Sequence, residues 1–264
     1  MSFETIKIDT DARGVATLTL ARAEKHNAMS EQMLDELTAA AKQIGADKSI
    51  RVVILAAEGK SFCAGGDLSW MRAQMEMDGP TRSAQAGKLA YMLQALDTLP
   101  QPLIGRIHAN AFGGGVGMAS VCDVAIGVDG LKMGLTETRL GLIPATIGPY
   151  VVARMGAAKA RRVFMSARLF DADEAQELGL LAKVVAADAL DEAVEAEVAP
   201  YLHCAPGAVA DAKALIRALS RPIENDVIEA TIAALAARWD DPESAEGIGA
   251  FFDKRKPDWA SGQG

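Results

Sequence analysis

Three short stretches of the chain put glycines or a carboxylate where ordinary core and turn composition would not. The first is Phe62-Cys63-Ala64-Gly65-Gly66-Asp67-Leu68, in which two adjacent glycines follow an apolar run. Such a pair suits a tight turn, or a backbone that a ligand must approach closely. The second is Phe112-Gly113-Gly114-Gly115-Val116-Gly117-Met118, also after an apolar run and opening a helix through Val121. Glycines at a strand-to-helix junction expose unpaired N–H groups at the positive end of the helix dipole, a place for an anion or a polarised oxygen. The third is Met133 to Pro144, where Glu137 stands in an apolar, glycine-punctuated stretch. Burial there would raise its pKa toward neutrality; the alternative is an ion pair with Arg139 on a loop surface.

Competing chemistries fail on spacing. Counted from Gly113 the sixth position is Met118, and from Gly115 it is Ser120, so the dinucleotide fingerprint is absent. Gly59-Lys60-Ser61 has Ile54 where a phosphate-binding loop needs its first glycine, and no GxSxG nucleophile elbow occurs. His26, His108 and His203 share no triad or metal spacing, and His108 reads as a strand-end residue with a satisfied imidazole. Cys63, Cys122 and Cys204 form no CxxC or Cys/His set, so no metal site is expected. Cys63 reads as a small packing residue and Asp67 as a helix cap.

The elements that must position these stretches follow from periodicity. Apolar runs at Val15–Leu20, Val52–Ala57, Leu103–Ile107 and Val124–Val128 read as buried strands, with helices over Ser30–Ile44 and Arg82–Leu99 between them. This alternation predicts an α/β core. Beyond Lys159 the pattern turns helical: Ala157–Ser166, Asp171–Leu178, Ala189–Tyr201, Gly207–Leu219 and Ile223–Trp239, with a non-helical Ala182–Val185 and an aromatic, basic tail through Trp259. A chain of 264 residues, half of them apolar, can bury a large core. With 35 acidic against 27 basic residues, net charge −8, it offers no basic face for nucleic acid. No apolar run suits a membrane span, and neither a signal nor a transit pattern is visible at the N-terminus, so a cytoplasmic protein is expected.

Taken in order, the motifs resemble the crotonase superfamily of enoyl-CoA hydratases and isomerases. The matching pieces are Lys25-His26-Asn27-Ala28, the AGGD of Ala64 to Asp67, Gly113-Gly114-Gly115 running into Cys122-Asp123, Glu137 with the GLIP of Gly141 to Pro144, the ELGL of Glu177 to Leu180, and the terminal FFDKRKPDW. The resemblance implies a ββα superhelical core over residues 1–200 and a C-terminal helical oligomerisation region over 201–264, assembled as a homo-trimer or a dimer of trimers. It implies acyl-CoA thioester substrates, with coenzyme A as part of the substrate and no separate cofactor. The family's oxyanion hole maps to the N–H groups of Gly66 and Gly114, its catalytic carboxylate to Glu137, and its CoA contacts to Lys25, Ala28, Ala64, Gly66, Asp67, Leu68, Gly114 and Lys254. Trp70 and Met71, with Met75 and Met77, are candidates to line an adaptable acyl pocket, ordinary packing being the equal alternative, and Gly117 is expected to border that pocket.

One departure stands out. Two-glutamate hydratases carry their other carboxylate where this chain has Gly117, which leaves Glu137 alone and a void expected beside the reacting carbons. A single base suffices for double-bond isomerisation, whereas hydration then needs one carboxylate to relay a proton through water. The segment Gly134 to Val151, GGGVGMASVCD and Leu68-Ser69-Trp70-Met71 resemble the methylglutaconyl-CoA and γ-carboxygeranoyl-CoA hydratase branch, which favours hydration. A second substrate carboxylate would need a cation, for which Arg72 is the candidate; a solvated helix arginine is the plainer reading. A non-catalytic acyl-CoA binder remains the alternative outside enzymology.

Overall fold

The computed structural model describes residues 3–220 and 223–260. The chain opens with strands β1 (Ile6–Thr10) and β2 (Val15–Leu20), which pair antiparallel. Helix α1 (Glu31–Ala46) follows, capped by the Ser30 hydroxyl accepting from Met33 N–H, and buries Met33, Leu34, Leu37, Ala41 and Ile44 on one face. Strand β3 (Val52–Ala57) leads to α2 (Leu68–Met75) and α3 (Gly79–Asp97). The chain then forms β4 (Leu103–Ile107), β5 (Ala111–Phe112), α4 (Gly114–Val121), β6 (Val124–Val128) and β7 (Lys132–Gly134). Next come α5 (Gly148–Met155), α6 (Ala157–Ala160), β8 (Leu169–Asp171), α7 (Ala172–Glu177), β9 (Lys183–Val185) and α8 (Leu190–Val198). Helices α9 (Pro206–Leu219), α10 (Asn225–Trp239) and α11 (Pro242–Phe252) complete the described fold.

The larger sheet has the order β1-β2-β3-β4-β6-β9 and is parallel from β2 onward; a smaller sheet, β5-β7-β8, lies beside it. Helices cover the parallel strands, which explains their near-continuous apolar runs. The four strands expected from those runs occur with the expected bounds. β1 escaped pattern reading because, at the sheet edge, only its Ile6 is buried among charged and polar neighbours.

Three helices differ from expectation. α3 begins at Gly79 rather than Arg82, because Asp78 caps it and Pro80 sits in the first turn, where its missing N–H costs nothing. The helix expected over 157–166 ends at Ala160; Arg162 and Arg168 both reach Glu174, which folds the intervening chain back against α7. The one expected over 189–201 stops at Val198, and residues Ala199–His203 tighten into a 3₁₀ turn at Pro200, whose ring cannot continue an α-helix. The terminal segment read as an aromatic tail is helical: α11 packs on α10 and on the 3₁₀ turn Glu137–Leu140. Helix α9 buries no residue and leaves Leu215, Ile216 and Leu219 more than half exposed. No helix among the described residues is long and apolar enough to cross a membrane.

Candidate active site

The glycine loops and Glu137 converge through backbone hydrogen bonds. Buried Asn27 donates to the carbonyls of Glu58 and Ser61 and accepts from Arg22 N–H, which pins the Lys25–Ala28 turn to the end of β3. Met29 N–H donates to Gly65 O at 2.8 Å and Asp67 N–H to Met29 O at 2.9 Å. This bridge engages the residues on either side of Gly66 and leaves the Gly66 N–H turned away, without a partner among the described residues. Cys63 pairs likewise with Ala111, and Gly113 N–H donates to Gly134 O at 2.9 Å, so the strand after the first loop, the glycine triplet and the Glu137 segment lie side by side. Gly114 opens α4, and its N–H is one of the donors a helix start leaves unpaired. A Cβ built on Gly113 would lie 3.1 Å from Glu137 Oε1 and 3.8 Å from Gly65 Cα, which places carboxylate and both loops within one small volume.

That volume is the end of a cavity of about 480 Å³. Its walls include Met29, Ala64, Gly66, Leu68, Trp70, Met71, Gly114 and Glu137, and α10 and α11 close it with Leu235, Trp239 and Phe251. Glu137 forms no ion pair with Arg139 among the described residues; its Oε2 is buried without a partner. Desolvation pushes its carboxyl up to about 7, partly offset by its own backbone N–H. It is the one acid on the described cavity wall. A larger cavity of about 550 Å³ lies under α9, but its charges pair with one another, Lys213 with Asp123 at 2.7 Å and Arg217 with Asp97 at 3.3 Å. It has neither a glycine loop nor an orphan carboxylate.

Several expected contacts are relocated. Gly117 does not border the cavity: a Cβ there would lie 2.7 Å from Ile147 Cγ2 and 3.3 Å from Leu93 Cδ1, so Ile147 fills the space expected to be empty. Asp67 is turned away as the cap of α2, accepting from Ser69 and Trp70 N–H, and pairs with Arg22 at 3.0 Å. Burial alone would raise its pKa, but Arg22 and the two N–H donors outweigh it and hold the carboxyl below its ordinary value. Lys25 and Lys254 are exposed and, with Ala28, lie off the cavity wall; the Ala28 carbonyl accepts from Arg22. Arg72 stacks over the Phe252 ring at 4.4 Å rather than entering the cavity, and neither Met75 nor Met77 lines it. A Cβ at Gly114 would lie 1.8 Å from Met29 Cε, the end of a flexible side chain that must move aside, whereas at Gly66 it would meet only ordinary contacts with Met71 at 3.5 Å. Cys63 is buried with its thiol pushed up to about 12 by desolvation. His108 is half satisfied: Nε2 bonds Gly59 O at 2.9 Å and Nδ1 is buried without a partner.

A family model described as enoyl-CoA hydratase/isomerase matches residues 10–262. The chain belongs to the enoyl-CoA hydratase/isomerase family. Its fold is the crotonase fold: it superposes on the crystal structure of an enoyl-CoA hydratase from Mycobacterium avium with a TM-score of 0.86 at 28% identity, covering 97% of this chain and 98% of that one. An enoyl-CoA hydratase from Shewanella pealeana gives 0.80 at 35% identity, over 97% and 96% of the two chains. A mouse mitochondrial methylglutaconyl-CoA hydratase is 32% identical, over 95% of this chain and 81% of its own length.

Pattern reading missed Gln74, Arg139, Thr146 and Ile147, all of which line the cavity of this family member. Gln74 carried a signal, standing three residues after Met71 on the same helix face. Thr146 and Ile147 come into play only because the loop before α5 folds against α4.

Proposed function

We propose that this enzyme hydrates 2-enoyl-CoA thioesters with Glu137 as its single acid–base group. The observation that carries the reading is the desolvated Glu137 carboxyl, one oxygen unpartnered, set against two glycine loops whose Gly66 and Gly114 N–H groups have no partner among the described residues. Those N–H groups are the donors for a thioester oxygen, and such a donor is worth about 3 kcal/mol to an oxyanion. In the ionised form Glu137 takes a proton from water as the water oxygen bonds C3; the double-bond electrons pass to the thioester oxygen as an enolate; the proton then goes from Glu137 to C2. With a pKa of about 7 the group is suited to both steps. The named activity of the mouse relative supports a branched, carboxylated acyl chain for this enzyme too.

A second reading, isomerisation, is favoured by one feature: Ile147 fills the position from which a second carboxylate would reach, and proton transfer from C4 to C2 needs one base. Incubation with a panel of enoyl-CoAs separates the two. Hydration removes the conjugated absorbance and adds the mass of water; isomerisation moves the double bond at constant mass. Glu137→Gln abolishes either. Retention of more than a tenth of the activity in that variant refutes the assignment.

We also propose that the exposed apolar face of α9 is covered by a second copy of the chain in a trimer or dimer of trimers. A monomer in light scattering at micromolar concentration refutes this. Lys25 and Lys254, lying off the cavity, are then left to face the CoA phosphates from outside, within one subunit or across two.

A further inference from the structure

We propose that Gln74 and Thr146, with Arg139 at the rim, form a receptor for a carboxylate at the far end of the acyl chain. Gln74 is the one buried residue of α2, 4% exposed, on a helix otherwise lying on the surface. A structural role would give its amide a partner, and among the described residues it has none. Thr146 is equally buried, at 4%, and its hydroxyl is likewise unpartnered. Both side chains line the cavity, and their polar atoms are open to it, so they are free to bond a group that enters. Arg139 lines the same cavity and forms no ion pair among the described residues. Trp70, the other donor on this wall, is already committed: its Nε1 donates to Gln85 Oε1 at 2.9 Å.

The placement sets the length of the chain. Met71 lies against Gly66, 3.5 Å from a Cβ built there. Gln74 stands three residues further along α2, about 4.5 Å down the helix axis. An acyl chain that is anchored at Gly66 and follows α2 would cover such a step in about four carbon–carbon bonds, which sets the chain length chosen for the test. Arg139 brings a positive charge, and the Gln74 amide and Thr146 hydroxyl each have a donor to turn toward an acceptor, so the group received is an anionic acceptor: the terminal carboxylate of a five-carbon enedioic thioester. This inference rests on the hydratase reading for its reaction but not for its binding.

Two measurements test it. The first is the ratio of kcat/KM for 3-methylglutaconyl-CoA over crotonyl-CoA. Gln74→Met is expected to lower the ratio 10- to 100-fold, the worth of a hydrogen bond to a charged group, Gln74→Glu to lower it further by repulsion, and Thr146→Val to lower it less. A misfolded fraction cancels in the ratio, so an unchanged ratio in both Gln74 variants overturns the proposal. The second is calorimetric binding of glutaryl-CoA against butyryl-CoA, which needs no turnover. Tighter glutaryl-CoA binding that is lost in Gln74→Met supports the receptor even if neither thioester is hydrated, in which case the hydratase reading alone fails. Equal binding of the two by the wild-type protein overturns the receptor even if hydration is observed.

Discussion

Replacing Glu137 by glutamine should make the protein inactive and, above neutral pH, more stable. The carboxyl is pushed from its ordinary 4.5 up to about 7 by desolvation, so the folded state holds its proton more tightly than the unfolded chain does. Between those two values the folded protein keeps a proton that the unfolded chain has lost, and stability therefore falls as pH rises. Each pKa unit corresponds to about 1.4 kcal/mol, so the full penalty at alkaline pH is at most about 3.5 kcal/mol. Glutamine has the same shape and never ionises. Urea unfolding of both proteins from pH 4 to pH 9 should show near-equal stability at the acid end. The variant should then gain steadily through pH 5 to 7 and level off above pH 8. The kcat/KM of the wild-type enzyme should rise tenfold per pH unit below 7 and flatten above it, as the carboxylate form accumulates. A stability difference independent of pH would refute the desolvation argument, and a rate plateau already reached at pH 5 would refute Glu137 as a base with this pKa.

Gly114→Ala should cost at most about 1 kcal/mol in thermal melts, because the colliding group is the flexible end of Met29, which can move aside. Restoring a carboxylate by Gly117→Glu should not raise hydration unless Ile147 is also reduced. The simpler Gly117→Ala and Ile147→Ala pair should show a coupling energy above about 0.5 kcal/mol in a double-mutant cycle, since the two side chains compete for one space. Asp67→Ala should cost about 2–3 kcal/mol by uncapping α2 and leaving the largely buried Arg22 without its counter-charge, bonded only to the Ala28 carbonyl; the double variant with Arg22→Met should recover part of that in the same melts. Arg72→Ala should lose less than about 1 kcal/mol with its stacking on Phe252 and leave acyl selectivity as it was, as substrate competition would show.

The linear pattern of residues determined whatever depends on local period and local chemistry. Four parallel strands were visible because burial on both faces makes them continuously apolar, and α1 because its capping serine and buried stripe are both written in order. The order of the glycine loops and Glu137 was enough to suggest which groups meet. Tertiary structure decided everything that depends on which surfaces touch. Whether Glu137 pairs with Arg139 or stays orphaned turns on how Gly113 is held against Gly134. The emptiness expected beside Gly117 is a matter of volume, and Ile147, thirty residues on, fills it. Arg72 and Gln74 sit two positions apart on one helix, so they face different ways: the cation stacks on an aromatic ring from α11, and the amide enters the cavity. A helix pattern gives the angle between two side chains, but what waits on each side of the helix is set by other segments of the chain, α11 for Arg72 and the glycine loops, the Glu137 segment and α10 for Gln74.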